Sequence, residues 1–327
     1  MRRYGRLYRG APRSTSVSRR DVLHAALGGA AGVTLGVPAF TPRPALAQPS
    51  SQQQAAVEQL APDLFVVTAG ETNVVALTSA GGAVLVDGGS TATSAALRGA
   101  VTALPNSGSI RTLINTHWHP EQTGSNEALA AAGVAIIAQE NTKLWLSTDV
   151  TWPWNGQTVE PLPVRARPNR SFYARGELDA AGKPIVYGHL PDAPHTDGDC
   201  YVFFPQHNVL AAGGVLNGAS WQLPDWWTGG WIGGLVGGLE HLLTIVNSES
   251  RIVPATGPVL SYAQLKQQYE MYSIVWERLA KLLYTGRGPD EAVAARPTQE
   301  FDALMGRPDE FVERSFRSLW AYLTPDA

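Results

Sequence analysis

The sequence predicts an α+β fold, a strand-rich body closed by helices. Three observations carry this. Short runs of Val, Leu, Ile and Phe recur between Leu64 and Ala212, separated by Gly-containing turns as in a meander. Leu265, Tyr269, Tyr272, Trp276, Leu279 and Leu283 then recur at three- and four-residue steps, and Phe311, Val312, Phe316, Leu319 and Leu323 form a second stripe, each marking an amphipathic helix. A chain of 327 residues, 44% hydrophobic and 16% charged, can bury one sizeable core.

Taken in order, the chain opens with a segment that stands apart from the fold. Arg2, Arg3, Arg6, Arg9 and Arg13 precede Ser18-Arg19-Arg20-Asp21-Val22-Leu23, an apolar Gly/Ala-rich run to about Phe40, and Ala45-Leu46-Ala47. A charged region, an apolar region and a small-residue cleavage site, in that order, make residues 1–47 an export leader, and the paired arginines resemble a bacterial twin-arginine signal. The run is short and glycine-rich for a membrane span, so no stable anchor is expected after removal. The product is expected in the periplasm or secreted.

The whole chain has 25 basic and 28 acidic residues. Eight basic residues and one acidic lie before Gln48, so the remainder holds 17 basic and 27 acidic residues and a net charge of −10. An acidic protein without basic runs is a poor partner for nucleic acid or anionic membranes. The single cysteine, Cys200, excludes an intrachain disulfide framework and a multi-cysteine zinc site. Its strand-like neighbours Tyr201 to Phe204 make it a buried structural thiol.

Gln-rich residues 48–58 are expected to form a flexible start. Strands follow at Leu64 to Val67, Asn73 to Leu77 and Ala83 to Asp87, the last closed by Asp87-Gly88-Gly89. Residues 92–104 read as a helix, Arg111 to Ile114 as a strand, and residues 125–132 as a helix capped by Ser125 and stopped by Gly133. Val134 to Ala138 is another buried strand. Residues 152–168, rich in proline, read as a surface loop. Strand character resumes at Ile185 to Tyr187, Cys200 to Phe204, Asn208 to Ala212 and Arg251 to Pro254, with a helix around Leu239, Leu242, Leu243 and Val246.

The chemistry concentrates in Asn115-Thr116-His117-Trp118-His119-Pro120-Glu121-Gln122-Thr123-Gly124, where a buried strand breaks into a loop. Alternate residues of an extended backbone point the same way, so His117 and His119 can converge on one cation. A bare His-x-His is more often a pair of histidines in a turn. Here the flanking strand, the Thr-Gly exit and His195, in a second loop between strands, favour a metal.

The order His117-x-His119-x-Glu121-Gln122-Thr123-Gly124, His195-Thr196-Asp197-Gly198-Asp199, Gly213-Gly214 and Ile252 to Pro258 resembles the metallo-β-lactamase-fold hydrolases. The likeness runs from about Leu64 to Pro258, and the closing helices resemble exported, non-lactamase members related to quinoprotein and sulfur-oxidation accessory proteins. The resemblance implies a four-layer αβ/βα sandwich over residues 59–260, with a helical extension at 261–327 packed on it. It also implies a metal site at one edge between the sheets, with Asp87 beneath it.

The family's first site uses three histidines, and His117, His119 and His195 fill all three places. Its second site uses an Asp-His pair, a bridging Asp and a late His, where this chain has Glu121, Gln122, Gly214 and Thr256. Glycine offers no side chain, and glutamine and threonine are poor zinc ligands. The expectation is therefore one Zn²⁺ per chain, with Glu121 as general base or weak extra ligand and Gln122 at most a hydrogen-bond donor. Three imidazoles leave zinc one open tetrahedral position for a water, which suits hydrolysis of a small molecule. The alternative is a non-catalytic descendant that keeps the metal or only the pocket. Eight of the ten tryptophans lie between Trp118 and Trp231. Trp118, Trp145, Trp152, Trp154, Trp221, Trp226, Trp227 and Trp231 are thus candidates for an apolar wall that selects an apolar or aromatic ligand.

Overall fold

A computed structural model describes residues 55–323. The expected leader at 1–47 and the twin-arginine motif lie outside the described residues. No helix among the described residues is long and apolar enough to cross a membrane.

The first half contains β1 (Ala55–Ala61), β2 (Leu64–Ala69), β3 (Thr72–Leu77), β4 (Ala83–Val86), α1 (Ser94–Thr102), β5 (Ile110–Ile114), α2 (Pro120–Thr123), α3 (Asn126–Ala131), β6 (Ala135–Gln139), α4 (Glu140–Trp145), β7 (Val150–Thr151), β8 (Thr158–Val159) and β9 (Arg170–Phe172). The second contains β10 (Arg175–Asp179), β11 (Pro184–His189), β12 (Cys200–Phe204), β13 (Val209–Asn217), α5 (Ile232–Ile245), β14 (Arg251–Thr256) and β15 (Leu260–Ser261). The chain closes with α6 (Tyr262–Tyr284), α7 (Pro289–Ala294), α8 (Asp302–Met305) and α9 (Asp309–Leu323).

Strands buried on both faces read as continuous apolar runs, and here each face enters a different core. Phe65, Val67, Val74, Ala76, Leu85, Leu113 and Ile136 pack with Leu97 and Val101 of α1 and Leu129 of α3. Their sequence neighbours Leu64, Val66, Val75, Val84, Val86, Ile114 and Ile137 turn the other way and meet Cys200, Val202, Phe204, Val209, Ala211 and Val253. The far faces of that second group of strands, at Tyr201, Leu210, Ala212 and Ile252, pack against α5, α6 and α9. Helix, sheet, sheet and helix thus follow in order, the αβ/βα sandwich.

Strand order is β10-β11-β12-β13-β14-β3-β4-β5-β6-β9, with β2 also on β3, β1 on β2, and β15 on β14. Among the described residues, the strand pairing that links the two halves is Thr256 of β14 with Thr72 of β3. Parallel β4, β5 and β6 share one direction, so the ends of β4 and β5 open into adjacent loops.

Two expectations are corrected. The start at 48–58 is not flexible throughout, because β1 begins at Ala55 and pairs antiparallel with β2. Its side chains are mostly exposed, so backbone ladder bonds rather than apolar burial hold it, and no hydrophobic pattern marks it. The segment read as a loop at 152–168 begins against a small hairpin in which Val150 and Thr151 pair with Val159 and Thr158.

Candidate metal centre

Loops leaving the ends of β5 and β13 and the loop entering β12 meet at one edge of the sandwich. The loop after β5 is held from both sides. Asp87 N–H donates to the Ile114 carbonyl at 2.8 Å, and Cys200 N–H donates to the Thr116 carbonyl at 2.8 Å. Asp87 sits just past β4 with φ of 66°, a left-handed conformation that Asp tolerates better than most residues. Its Oδ1 accepts the Thr116 N–H at 2.8 Å and its Oδ2 accepts the Thr116 hydroxyl at 2.8 Å. Asp87 therefore lies beneath the site and fixes the residue before His117.

That hydroxyl sets the state of the first histidine. With Asp87 ionised, Thr116 Oγ1 gives its proton to Asp87, so at 3.1 Å from His117 Nδ1 it accepts the Nδ1–H, leaving Nε2 with a bare lone pair. The second histidine is set by a carboxylate: His119 Nε2–H donates to Asp225 Oδ2 at 2.8 Å, so Nδ1 is bare. The third is set by a carbonyl: His195 Nδ1–H donates to Leu223 O at 2.8 Å, with the Gln222 amide 2.9 Å from the same nitrogen, so Nε2 is bare. Each outer nitrogen is held by a different element and each inner one points to the others.

Ligand atoms of His117, His119 and His195 all lie within 4.8 Å of one another, and among the described residues they form the group able to hold a metal. His119 Nδ1 and His195 Nε2 are 3.0 Å apart. Two lone pairs facing at that distance repel unless a cation sits between them. Burial pushes the pKa of His117 well below its ordinary value, and the charges of His195 and His119 push the same way. His195 is lowered by burial first and by His119 and Arg314. His117 and His195 are thus neutral near pH 7, the form that binds a metal, and the donor set fits a zinc-type ion.

The His195 loop has its own anchor. Asp199 Oδ2 accepts the N–H groups of His195 and Thr196 at 2.6 and 2.8 Å, and Oδ1 accepts the Thr196 hydroxyl at 2.9 Å. Burial pushes both Asp87 and Asp199 up to about 7, with the Thr116 bonds opposing it at Asp87 and the Thr196 and His195 bonds opposing it at Asp199.

A cavity of about 520 Å³ opens over the histidines, lined also by Glu121, Gln122, Gly214, Thr256, Trp152, Trp154 and Arg314. Glu121 is exposed at its wall and Gln122 is buried. Glycine at 213 and 214 has steric reasons. Gly213 has φ of 60°, and a Cβ there would lie 2.5 Å from Thr116 Cβ. At Gly214 a Cβ would come within 2.5 Å of His195 Cδ2 and 2.8 Å of His117 Cε1, so the bare backbone lets the two imidazoles close in.

The tryptophans divide. Trp118 is buried against His119, with ring centroids 4.6 Å apart, and packs with Trp145 and Trp152. Trp152 also meets the His119 ring at 5.7 Å and stacks on Trp154 at 5.7 Å. Trp221 touches the cavity but stacks on Phe311 of α9 at 4.5 Å, and Trp231 stacks on Tyr322 at 3.7 Å. Trp226 and Trp227 do not line this cavity: Trp226 faces an adjoining hollow and Trp227 is half exposed. The wall is therefore Trp152 and Trp154 with the edge of Trp221: the helical tail takes Trp231 and most of Trp221 into its own packing, and Trp118 and Trp145 pack in a small cluster with Leu146 and Val150.

Asp225 escaped the sequence reading. It lies in the Gly/Trp tract, 106 residues from His119, with no spacing that ties it to a histidine. One signal was present: it is the sole acidic residue between Asp199 and Glu240. Its Oδ1 also accepts the Thr228 N–H at 3.2 Å, and the Trp152 Nε1–H reaches Oδ2 at 3.3 Å. Burial alone would raise its pKa, but the His119 and Thr228 bonds outweigh that and hold it below the ordinary value.

Solved structures share this architecture. A metallo-beta-lactamase from Pontibacter korlensis superposes with a TM-score of 0.55 at 17% identity, covering 67% of this chain and 99% of its own. The DIM-1 metallo-beta-lactamase gives 0.54 at 16%, covering 67% and 97%. A double mutant of the sec-alkyl sulfatase PisA1 gives 0.61 at 15%, covering 84% of this chain and 51% of its own. At such identities the likeness is one of fold. No curated protein matches the sequence. The model of the metallo-beta-lactamase superfamily matches residues 67–256, more than half the chain, and spans all three histidines, so this protein belongs to the metallo-beta-lactamase superfamily.

Proposed function

We propose that the protein is a zinc-dependent hydrolase of a small, apolar molecule, exported by the twin-arginine route to the periplasm or beyond and working with a single ion held by His117, His119 and His195. The observation that carries this is the set of outer hydrogen bonds. Thr116, Asp225 and Leu223 each hold one imidazole nitrogen, so the inner three are presented bare and the rings are oriented before any ligand arrives. A bound divalent ion would supply Lewis acidity and lower the pKa of a water toward neutrality.

The chain's own groups do the rest. Trp152 and Trp154 offer an apolar face to the substrate body beside the histidines. Glu121, two residues past His119 on the cavity wall, accepts the proton of the attacking water at a carboxylate oxygen and returns it to the leaving group. The cavity volume of about 520 Å³ lies in the range that encloses small molecules. At Gln122, Gly214 and Thr256 the cavity presents an amide, a bare backbone and a hydroxyl, which supports single-ion use.

A screen of apolar esters, lactones, thioesters and lactams with zinc-loaded protein tests the reading. Turnover should vanish on chelation and in His195→Ala, and Glu121→Gln should lower kcat by about 10²–10⁴-fold. Metal retention without turnover of any class would favour the non-catalytic descendant. Normal export of an Arg19→Lys, Arg20→Lys double variant would sink the twin-arginine route.

A further inference from the structure

Helix α9 lies outside the segment matched by the family model, yet it sends Arg314 into the metal cavity. The Arg314 side chain is only 13% exposed. Its guanidinium carbon lies 4.0 Å from the centroid of the Trp154 ring. A guanidinium stacked on an indole uses its face and leaves its planar edge, with up to five N–H donors, pointing sideways.

The protein supplies little for that edge. One Nη2 bond goes to Glu310, one turn back on the same helix and 61% exposed. The Nε is buried without an acceptor. Arg314 also lines an adjoining hollow with Glu310 and Trp226, and the Trp226 Nε1 is a second buried donor without an acceptor. Donor-only groups left unmatched are costly in a closed interior and are matched when an acceptor enters. An Arg kept only to tie α9 to the Trp154 loop would be expected to bond across that contact rather than to its own helix.

We propose that Arg314 and Trp154 form an anion subsite of the metal cavity, so that the ligands it selects are small aromatic or apolar molecules carrying an oxyanion such as a carboxylate. The proposal rests on the hydrolase reading for what happens at the histidines, but not for binding. The guanidinium edge takes the oxyanion bidentately while the apolar body lies along Trp152 and Trp154. Glu310 competes for the same edge and sets how readily the subsite opens.

The test measures dissociation constants of 2-naphthoate and of neutral 2-naphthylmethanol by tryptophan fluorescence, on the full exported chain, zinc-loaded and after chelation. Wild type should prefer the naphthoate about tenfold or more in both states, the size expected of a charged hydrogen bond. Arg314→Met should lose the preference, and Arg314→Lys should keep part of it. Glu310→Gln should tighten naphthoate and leave the alcohol unchanged. A preference that survives Arg314→Met, that disappears with the zinc, or that Glu310→Gln weakens would overturn the proposal. Should Arg314→Met not fold, the Lys and Gln variants decide. Ester hydrolysis is followed in parallel: absent turnover with the anion preference intact defeats the hydrolase reading alone, whereas turnover without the preference defeats the subsite alone.

Discussion

The two sides of the metal cavity are built differently. On one side, three imidazoles come from two loops, and Asp87 through Thr116, Asp225 and the Leu223 carbonyl each fix a ring from outside. On the other, Glu121 is exposed, Gln122 is buried, Gly214 is pressed against the imidazoles, and Thr256 belongs to the strand pair that joins the two halves. A ligand site is defined as much by what orients the donors as by the donors. The histidine side has both, and the other side has one exposed carboxylate, Glu121, among neutral groups.

Removing a donor should have the largest effect. His195→Ala should lower zinc affinity by more than the roughly 10–100-fold that loss of an outer partner causes, read by competition with a chromophoric chelator. Asp225→Ala should lie in that range, about 10–100-fold, because it frees His119 to rotate without deleting it. Equal affinity in Asp225→Ala and wild type would break the claim that outer partners define the site.

A carboxylate placed at position 214 probes the other side of the cavity. Gly214→Asp should not create a second site, since its Cβ would displace both His117 and His195. It should cost about 1–3 kcal/mol by overpacking and weaken the first ion, seen as a lower denaturation midpoint and reduced zinc content. A variant holding two ions would contradict the steric argument.

The polar base of the site should respond to pH. Burial pushes Asp87 up to about 7 in the fold against an ordinary value of 3.8. The folded metal-free protein therefore keeps a proton on Asp87 that the unfolded chain has lost, so the Asp87 contribution to stability falls as pH rises from about 4 to about 7. That slope is opposed by the buried His117 and His195, which the unfolded chain protonates and the fold does not. Asp87→Asn should remove Asp87's share of that slope and leave the share of Asp199. Denaturant midpoints of chelated protein across this window check it, and an unchanged slope would refute it.

The smallest effect concerns Cys200, whose buried thiol is pushed well above its ordinary pKa by burial and by Asp87 and Asp199. It should react with thiol reagents only after unfolding.

The two sides also differ in how far the sequence revealed them. His117, His119 and His195 were legible because each ends or begins a strand run, and strand runs buried on both faces are plain in the sequence. Asp87 was legible for the same reason. Asp225 was not, because it reaches His119 from a separate loop that no periodicity marks. The fate of the tryptophans was equally hidden: whether Trp221 and Trp231 face the cavity or the tail depends on Phe311 and Tyr322, which lie far along the chain. Strand β1 was missed because four of its seven side chains are exposed and its hold is the backbone ladder.

The central claim is that this cavity holds one ion, and elemental analysis of the purified chain after zinc-supplemented expression tests it directly. The account predicts one zinc per chain, falling to none in a His117→Ala, His195→Ala double variant. Two tightly held ions per wild-type chain, or none, would contradict it.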